Sequence, residues 1–195
     1  REGIPVSGPR MDRRAAVAAL LAARGELLVV SGLGGTTWDV AAVGDEPRNF
    51  YLWGGMGCAV PVGLGLALAQ PSRPVLVITG DGEMLMGVGS LATVAAQRPA
   101  NVTIVVVDNE RYGETGGQLS HAALGADLAG MARAAGITDS VTLEDLVAVA
   151  QYRARLQEAS GPRFAVLKVA PESPPMVLPP RDGVLLKQRF RASLG

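Results

Sequence analysis

Two kinds of apolar run alternate along this chain. The first kind is short and continuous. Residues 75–79 (VLVIT) and 102–107 (VTIVVV) carry almost no polar residue, as strands do when a parallel sheet is covered on both faces. Residues 27–30, 49–53 and 164–169 read as strands of the same type. The second kind is longer and falls between them. Asp12 caps a helix predicted over 12–24, with Gly25 as its stop. Thr36 or Thr37 caps a second helix after the turn SGLGGTTWD. A third helix runs to about Gln70 and carries Pro61 in its first turn, where proline is tolerated. It is apolar nearly all round, which predicts a buried helix. Further helices are expected over 83–97, over 126–135 with Gly136 as stop, over 143–159 with Thr142 as cap, and over 183–193. Residues 108–124 turn polar and glycine-rich, the composition of a loop at a site.

Strands alternating with helices predict an α/β domain, a three-layer doubly wound parallel sheet with helices on both faces. Residues 1–10 have no periodicity and read as a linker or arm, leaving 11–195 as one domain. A length of 195 residues, with 48% hydrophobic and 18% charged, suits one domain with a sizeable core. The formal net charge is zero, and no basic block recommends a nucleic acid or an anionic membrane as partner. Cys58 is the one cysteine and His121 the one histidine. Neither an internal disulfide nor a cysteine- or histidine-rich metal site can be built from them. The run at 58–69 is too short to cross a membrane, and residues 1–10 lack the apolar core of a signal peptide. A cytoplasmic protein is expected.

The chemistry concentrates at two strand ends. Asp81 lies just past the run 75–79, within Gly80-Asp81-Gly82, and Asn109 just past the run 102–107; twenty-six residues separate Gly82 from Asn109. Ligands of open parallel sheets bind outside the carboxyl ends of the strands. A carboxylate and an amide converging there are hard oxygen donors, suited to Mg²⁺ or Ca²⁺. Gly80 and Gly82 let backbone approach a phosphate, and the helix expected to begin near Glu83 offers free N–H groups. A GDG tripeptide alone is a common turn, and an Asp after a strand is often only a helix cap. The second strand end with Asn109 gives the pair its meaning.

This pattern resembles the thiamine-diphosphate-dependent enzymes, in which GDG is followed at about this interval by a pair of asparagines. Here the pair is Asp108-Asn109, and the first member departs from the pattern. The resemblance implies the thiamine-diphosphate-binding fold. It also implies Mg²⁺ held by Asp81, Asn109 and the backbone carbonyl of Arg111. The diphosphate would lie against Gly80, Gly82, Glu83 and the loop with Tyr112 and Gly113. Glu83 would turn its side chain away from it. The segment GGMGCAVPVGLGLALA is similar to the one beneath the thiamine ring. It implies Met56 as the wedge that bends the cofactor and the Gly54 carbonyl as acceptor for its 4′-amino group, beside Gly55; a core methionine is the alternative for Met56. Gly34, Gly35 and Thr36 are implied as a diphosphate-side loop. That loop also half-resembles a dinucleotide G-x-G-x-x-G, with Thr37 in place of the third glycine.

Only one of the family's two cofactor-clasping domains is present. The glutamate that activates the aminopyrimidine would come from a pyrimidine-binding partner subunit, in a hetero-oligomer or homodimer. Sulfopyruvate decarboxylase β subunits and the C-terminal half of phosphonopyruvate decarboxylases are the most similar members. They imply decarboxylation of a small 2-oxo acid to an aldehyde. Glu114 as acid or base and Gln118 as donor are candidates for substrate contact, against ordinary loop residues. Arg111 could face an anionic tail, and His121 a proton transfer, although an exposed arginine and a solvated histidine are the default for such loop residues. The other readings are the cofactor half of a 2-oxo acid oxidoreductase or carboligase, and a non-catalytic assembly subunit.

Overall fold

A computed structural model of the chain describes residues 10–172 and 174–195; residues 1–9 of the expected arm lie outside that range. Helix α1 (Arg13–Leu21) begins at Asp12, whose carboxylate accepts from the Ala15 N–H at 2.6 Å. It stops at Ala22, earlier than predicted, because Ala23 (φ 51°) and Gly25 (φ 56°) turn the backbone left-handed. β1 (Leu28–Ser31) leads to α2 (Gly35–Val43). Neither Thr36 nor Thr37 caps α2. The helix starts one residue before Thr36, behind Gly34 at φ 78°, and both hydroxyls donate back to the Gly32 carbonyl, at 3.2 and 2.6 Å. β2 (Asn49–Tyr51) is followed by α3 (Ala59–Ala69) and β3 (Val75–Gly80).

The helix expected over 83–97 is two helices. α4 (Asp81–Met86) starts at the carboxylate itself, and α5 (Ser90–Gln97) follows a break at Gly87-Val88-Gly89. Tertiary contact explains the break. A Cβ on Gly87 would stand 2.2 Å from the Gly57 carbonyl oxygen, so two backbones meet there. β4 (Val102–Asp108) runs into a small antiparallel hairpin, β5 (Arg111–Tyr112) and β6 (Gln118–Leu119), and then α6 (Leu128–Ala135), stopped by Gly136 at φ 108°.

The predicted helix 143–159 holds over Leu146–Arg153, but it starts three residues late and its expected Thr142 cap is overturned. Residues Asp139–Leu143 form a strand, β7, in which Thr142 pairs with Val166. The β-branched Val141 and Thr142 favour that role once a neighbouring strand is available. Asp145, not Thr142, caps α7 (Leu146–Arg153), by accepting from Ala148 N at 2.8 Å. β8 (Arg163–Lys168) and α8 (Gly183–Ala192) complete the chain, the latter capped by Asp182.

The six main strands are all parallel, in the order β2-β1-β3-β4-β8-β7. Side chains alternate between two cores, one on each face. Leu76, Ile78, Val105 and Val107 pack toward α1 and α7; Val75, Val77, Ile104 and Val106 pack toward α3, α5 and α6. This is the expected three-layer doubly wound sheet. The prediction for α3 holds for one face only. Ala59, Val60, Gly63, Leu64 and Ala67 are buried, while Pro61, Gly65 and Leu68 are exposed. A helix laid on a sheet hides only the side toward the sheet. Burying the opposite side needs another layer.

Strand order reverses between β1 and β3, the switch point at which open sheets of this kind bind ligands.

Candidate functional site

The loops after β1, β3 and β4 meet at this end of the sheet. β3 and β4 run in register, with Gly80 opposite Val107, so Asp81 and Asp108 leave the sheet side by side and Asn109 follows. Asp81 is 1% exposed, and its Oδ2 accepts from the Ser120 hydroxyl. Burial pushes its carboxyl up to about 6; the Ser120 hydrogen bond opposes this, and the nearby Asp108 carboxylate adds to it.

Asn109 is half-buried in a turn held by side chains. Its Oδ1 accepts from Arg111 N, and Asp108 Oδ1 accepts from Glu110 N, each at 3.1 Å. Asx turns of this kind let Asn and Asp substitute for backbone acceptors. Between them Glu110 takes φ 62°, a conformation uncommon outside glycine.

The β5–β6 hairpin folds back across the glycines of the site. A Cβ on Gly82 would lie 2.3 Å from the Tyr112 ring, and one on Gly34 would lie 2.7 Å from the Glu114 carboxylate. Tyr112 and Glu114 are thereby brought to the loops after β3 and β1. Gln118 is not: it is exposed and bonded to Thr115 of its own hairpin, at 2.8 and 2.9 Å. The Arg111 guanidinium likewise turns to Gly117 O at 3.2 Å, and His121 is exposed.

Glu83 is 3% exposed and points beneath Gly32, where its Oε2 accepts from Thr79 at 2.8 Å. Burial raises its carboxyl. Thr79 opposes the rise, as do the nearby N–H groups of Gly57 and Leu33, which stop short of hydrogen-bond geometry and leave Oε1 unpartnered. Gly54 and Gly55 are exposed on the loop that enters α3. Met56 is half-buried and belongs to neither core, so the core-methionine alternative falls. Gly55 and Gly57 take φ 69° and 87°, which only glycine adopts cheaply. Cys58 is exposed. Gly35 lies against the Arg13 guanidinium, and Thr36 is buried in its bond to Gly32.

Chemically, Asp81 and Asn109 offer a carboxylate and an amide oxygen on neighbouring strand ends, a donor set that fits a hard divalent cation. Among the described residues no cluster of three or more His, Cys, Asp or Glu could hold a metal. Further ligands would have to be backbone carbonyls or oxygens of a bound molecule. Ser120, unnoticed in the sequence, completes this arrangement from 39 residues away; no local pattern announces it. Ser120→Ala should leave the buried carboxylate without its hydroxyl donor, at a cost of about 2 kcal/mol. For a domain of this size that is a fall in Tm of about 4–8 °C. Scanning calorimetry would check it, and an unchanged Tm would show that Asp81 has another donor.

A doubly wound parallel sheet with hard oxygen donors and glycine loops at its switch point defines a phosphate- or cofactor-binding α/β protein. The comparisons narrow this. Residues 33–169 match the family described as thiamine pyrophosphate enzyme, C-terminal TPP binding domain, and the chain belongs to that family. It is 34% identical over 185 residues to the sulfopyruvate decarboxylase subunit beta of Methanothermobacter thermautotrophicus, covering 92% of this chain and 94% of that one. It is 38% identical over 168 residues to the phosphonopyruvate decarboxylase of Streptomyces viridochromogenes, covering 86% of this chain and 42% of that one. A benzoylformate decarboxylase structure from Polynucleobacter necessarius superposes with a TM-score of 0.72 at 22% identity, over 90% of this chain and 36% of that one. That last likeness establishes the fold.

Proposed function

We propose that this chain is the β-type subunit of a thiamine-diphosphate- and Mg²⁺-dependent 2-oxo acid decarboxylase of the sulfopyruvate or phosphonopyruvate type, completed by a pyrimidine-binding partner subunit. The observation that carries this reading is the match to a decarboxylase β subunit over nearly the full length of both chains. Asp81, Asn109 and the Arg111 carbonyl would hold the cation. The backbone at Gly80, Gly82, Glu83, Tyr112 and Gly113 would hold the diphosphate, with Gly34, Gly35 and Thr36 beside it. Gly54, Gly55 and Met56 would shape the ring end. Bound thiamine diphosphate supplies a carbon nucleophile for the 2-oxo carbonyl and a sink for the electrons left when carbon dioxide departs. This chain's residues orient that cofactor and exclude water around it. Glu114 is favoured over Gln118 for proton transfer, because only Glu114 is folded onto the glycine loop after β1.

The exposed side of α3 fits a half-site. Pro61, Gly65 and Leu68, with Ser90, Thr93 and Gln97, line a largely apolar groove of about 400 Å³, which we assign to the partner. A cytoplasmic location goes with this reading; among the described residues no helix is long and apolar enough to cross a membrane. The test is decarboxylation of sulfopyruvate, phosphonopyruvate and pyruvate, by the chain alone and with a partner that brings the missing glutamate-bearing domain. The chain alone should be inactive, and the pair active on one of the two anionic-tailed acids. Full turnover by the lone chain would refute the half-site. A pair active on none of the three acids would refute the substrate class.

A further inference from the structure

The aspartate that stands before Asn109 has a counterpart on the next strand. Asp108 and Lys168 are register partners at the ends of β4 and β8. The Lys168 ammonium lies 2.6 Å from Asp108 Oδ2 and 2.9 Å from Glu110 Oε1. Asp108 is 2% exposed, and Arg10 closes on Glu110 at 2.7 Å. One ammonium therefore ties together the two carboxylates that flank Asn109 in sequence. The same turn carries the left-handed Glu110, whose N–H is held by Asp108 and whose carbonyl accepts from Ser120 N at 3.0 Å. Ser120 in turn donates to Asp81. The contacts form one continuous path from Lys168 to both proposed cation ligands.

We infer that Lys168 is a positioning residue, whose ammonium neutralises Asp108 and anchors Glu110 so that the 108–111 turn presents Asn109 beside Asp81. The inference rests on the reading of Asp81 and Asn109 as a cation–diphosphate site. Its sign comes from charge. Without Lys168, Asp108 becomes a second uncompensated carboxylate next to Asp81, where an anionic diphosphate has to bind. Removing one partner of a buried ion pair does more damage than removing both. An asparagine at 108 would need no such counter-charge, so the departure from a double amide and the lysine on the neighbouring strand belong together.

The experiment is a double-mutant cycle on cofactor affinity, with Tm recorded alongside. Binding of thiamine diphosphate at saturating Mg²⁺ is measured by calorimetry on the full chain, in the assembly in which it purifies. The proteins are the parent, Lys168→Met, Lys168→Arg, Asp108→Asn and Asp108→Asn/Lys168→Met. Lys168→Met should raise Kd by about tenfold or more, the size expected when support of a metal ligand is lost. Lys168→Arg and the double variant should return to within about threefold of the parent, because either restores local neutrality. A purely structural role would lower the Tm of Lys168→Met and of the double variant alike and leave Kd unmoved at temperatures where both are folded. A smaller rise for Lys168→Met, or a double variant that binds as weakly as Lys168→Met, overturns the inference. If Lys168→Met is insoluble, Lys168→Gln replaces it under the same thresholds. A parent that binds no thiamine diphosphate defeats the proposed function as well; a parent that binds, with Lys168→Met unaffected, defeats only the role of Lys168.

Discussion

Asp81→Asn should make the cofactor-free protein more stable and at the same time abolish its response to Mg²⁺ and thiamine diphosphate. The two effects have one cause. Asp81 is buried, and its carboxyl is pushed up to about 6 from a usual value of 3.8. The native state then holds its proton more tightly than the unfolded chain. The contribution of Asp81 to the stability of the cation-free protein is therefore greatest below pH 3.8, is lost as pH rises through that value to about 6, and stays absent at neutrality. A shift of this size corresponds to about 3 kcal/mol. An amide at this position removes the charge and should recover part of that, raising Tm by about 4 °C. The cost reverses when a divalent cation sits against the carboxylate. A ligand at one hundred times its Kd stabilises the parent by about 2.7 kcal/mol, and Asp81→Asn should gain none of it. Thermal melts at pH 7, with and without Mg²⁺ and thiamine diphosphate, check both halves. A variant that is destabilised, yet still gains Tm with the cofactor, would show that Asp81 serves the fold and not the ligand.

Gly87→Ala should be strongly damaging, because its added methyl meets backbone rather than a side chain that can swing away. Its Cβ would stand 2.2 Å from the Gly57 carbonyl oxygen and within 3.0 Å of two further backbone atoms. Gly57 cannot easily retreat, since its φ of 87° already commits it to a glycine-only conformation. Overpacking of this kind costs about 3 kcal/mol, a fall in Tm of about 6–12 °C in a domain of this size. Cofactor affinity should fall with it, because the contact fixes the 54–57 loop against α4, which starts at Asp81. Gly89→Ala is the control. A Cβ there meets nothing within 4 Å, and its φ of −59° suits any residue, so stability should hold or rise. Equal melting temperatures for the two variants would remove the contact as a determinant of the site.

Much of this architecture is legible in the residue order because its causes are local. Continuous apolar runs such as 102–107 mark central parallel strands, and Asp12 caps the helix that follows it. Where a long-range partner decides the outcome, local reading fails. Asp139–Leu143 becomes a strand only because β8 lies beside it. The helix expected over 83–97 breaks because Gly57 arrives at Gly87.

The candidate site divides along the same line. Residue order alone marked Asp81 and Asn109 as hard donors at two strand ends, and the glycine loops around them, because the spacing of strand, turn and helix is written into one stretch of chain. The fold alone decided that the two strands are neighbours, that Ser120 reaches Asp81, and that Lys168 closes the circuit through Asp108 and Glu110. Those contacts bridge 39 and 60 residues of sequence. Charge and hydrogen bonding act across a few ångströms of space whatever the distance along the chain, so only the tertiary structure could assemble them.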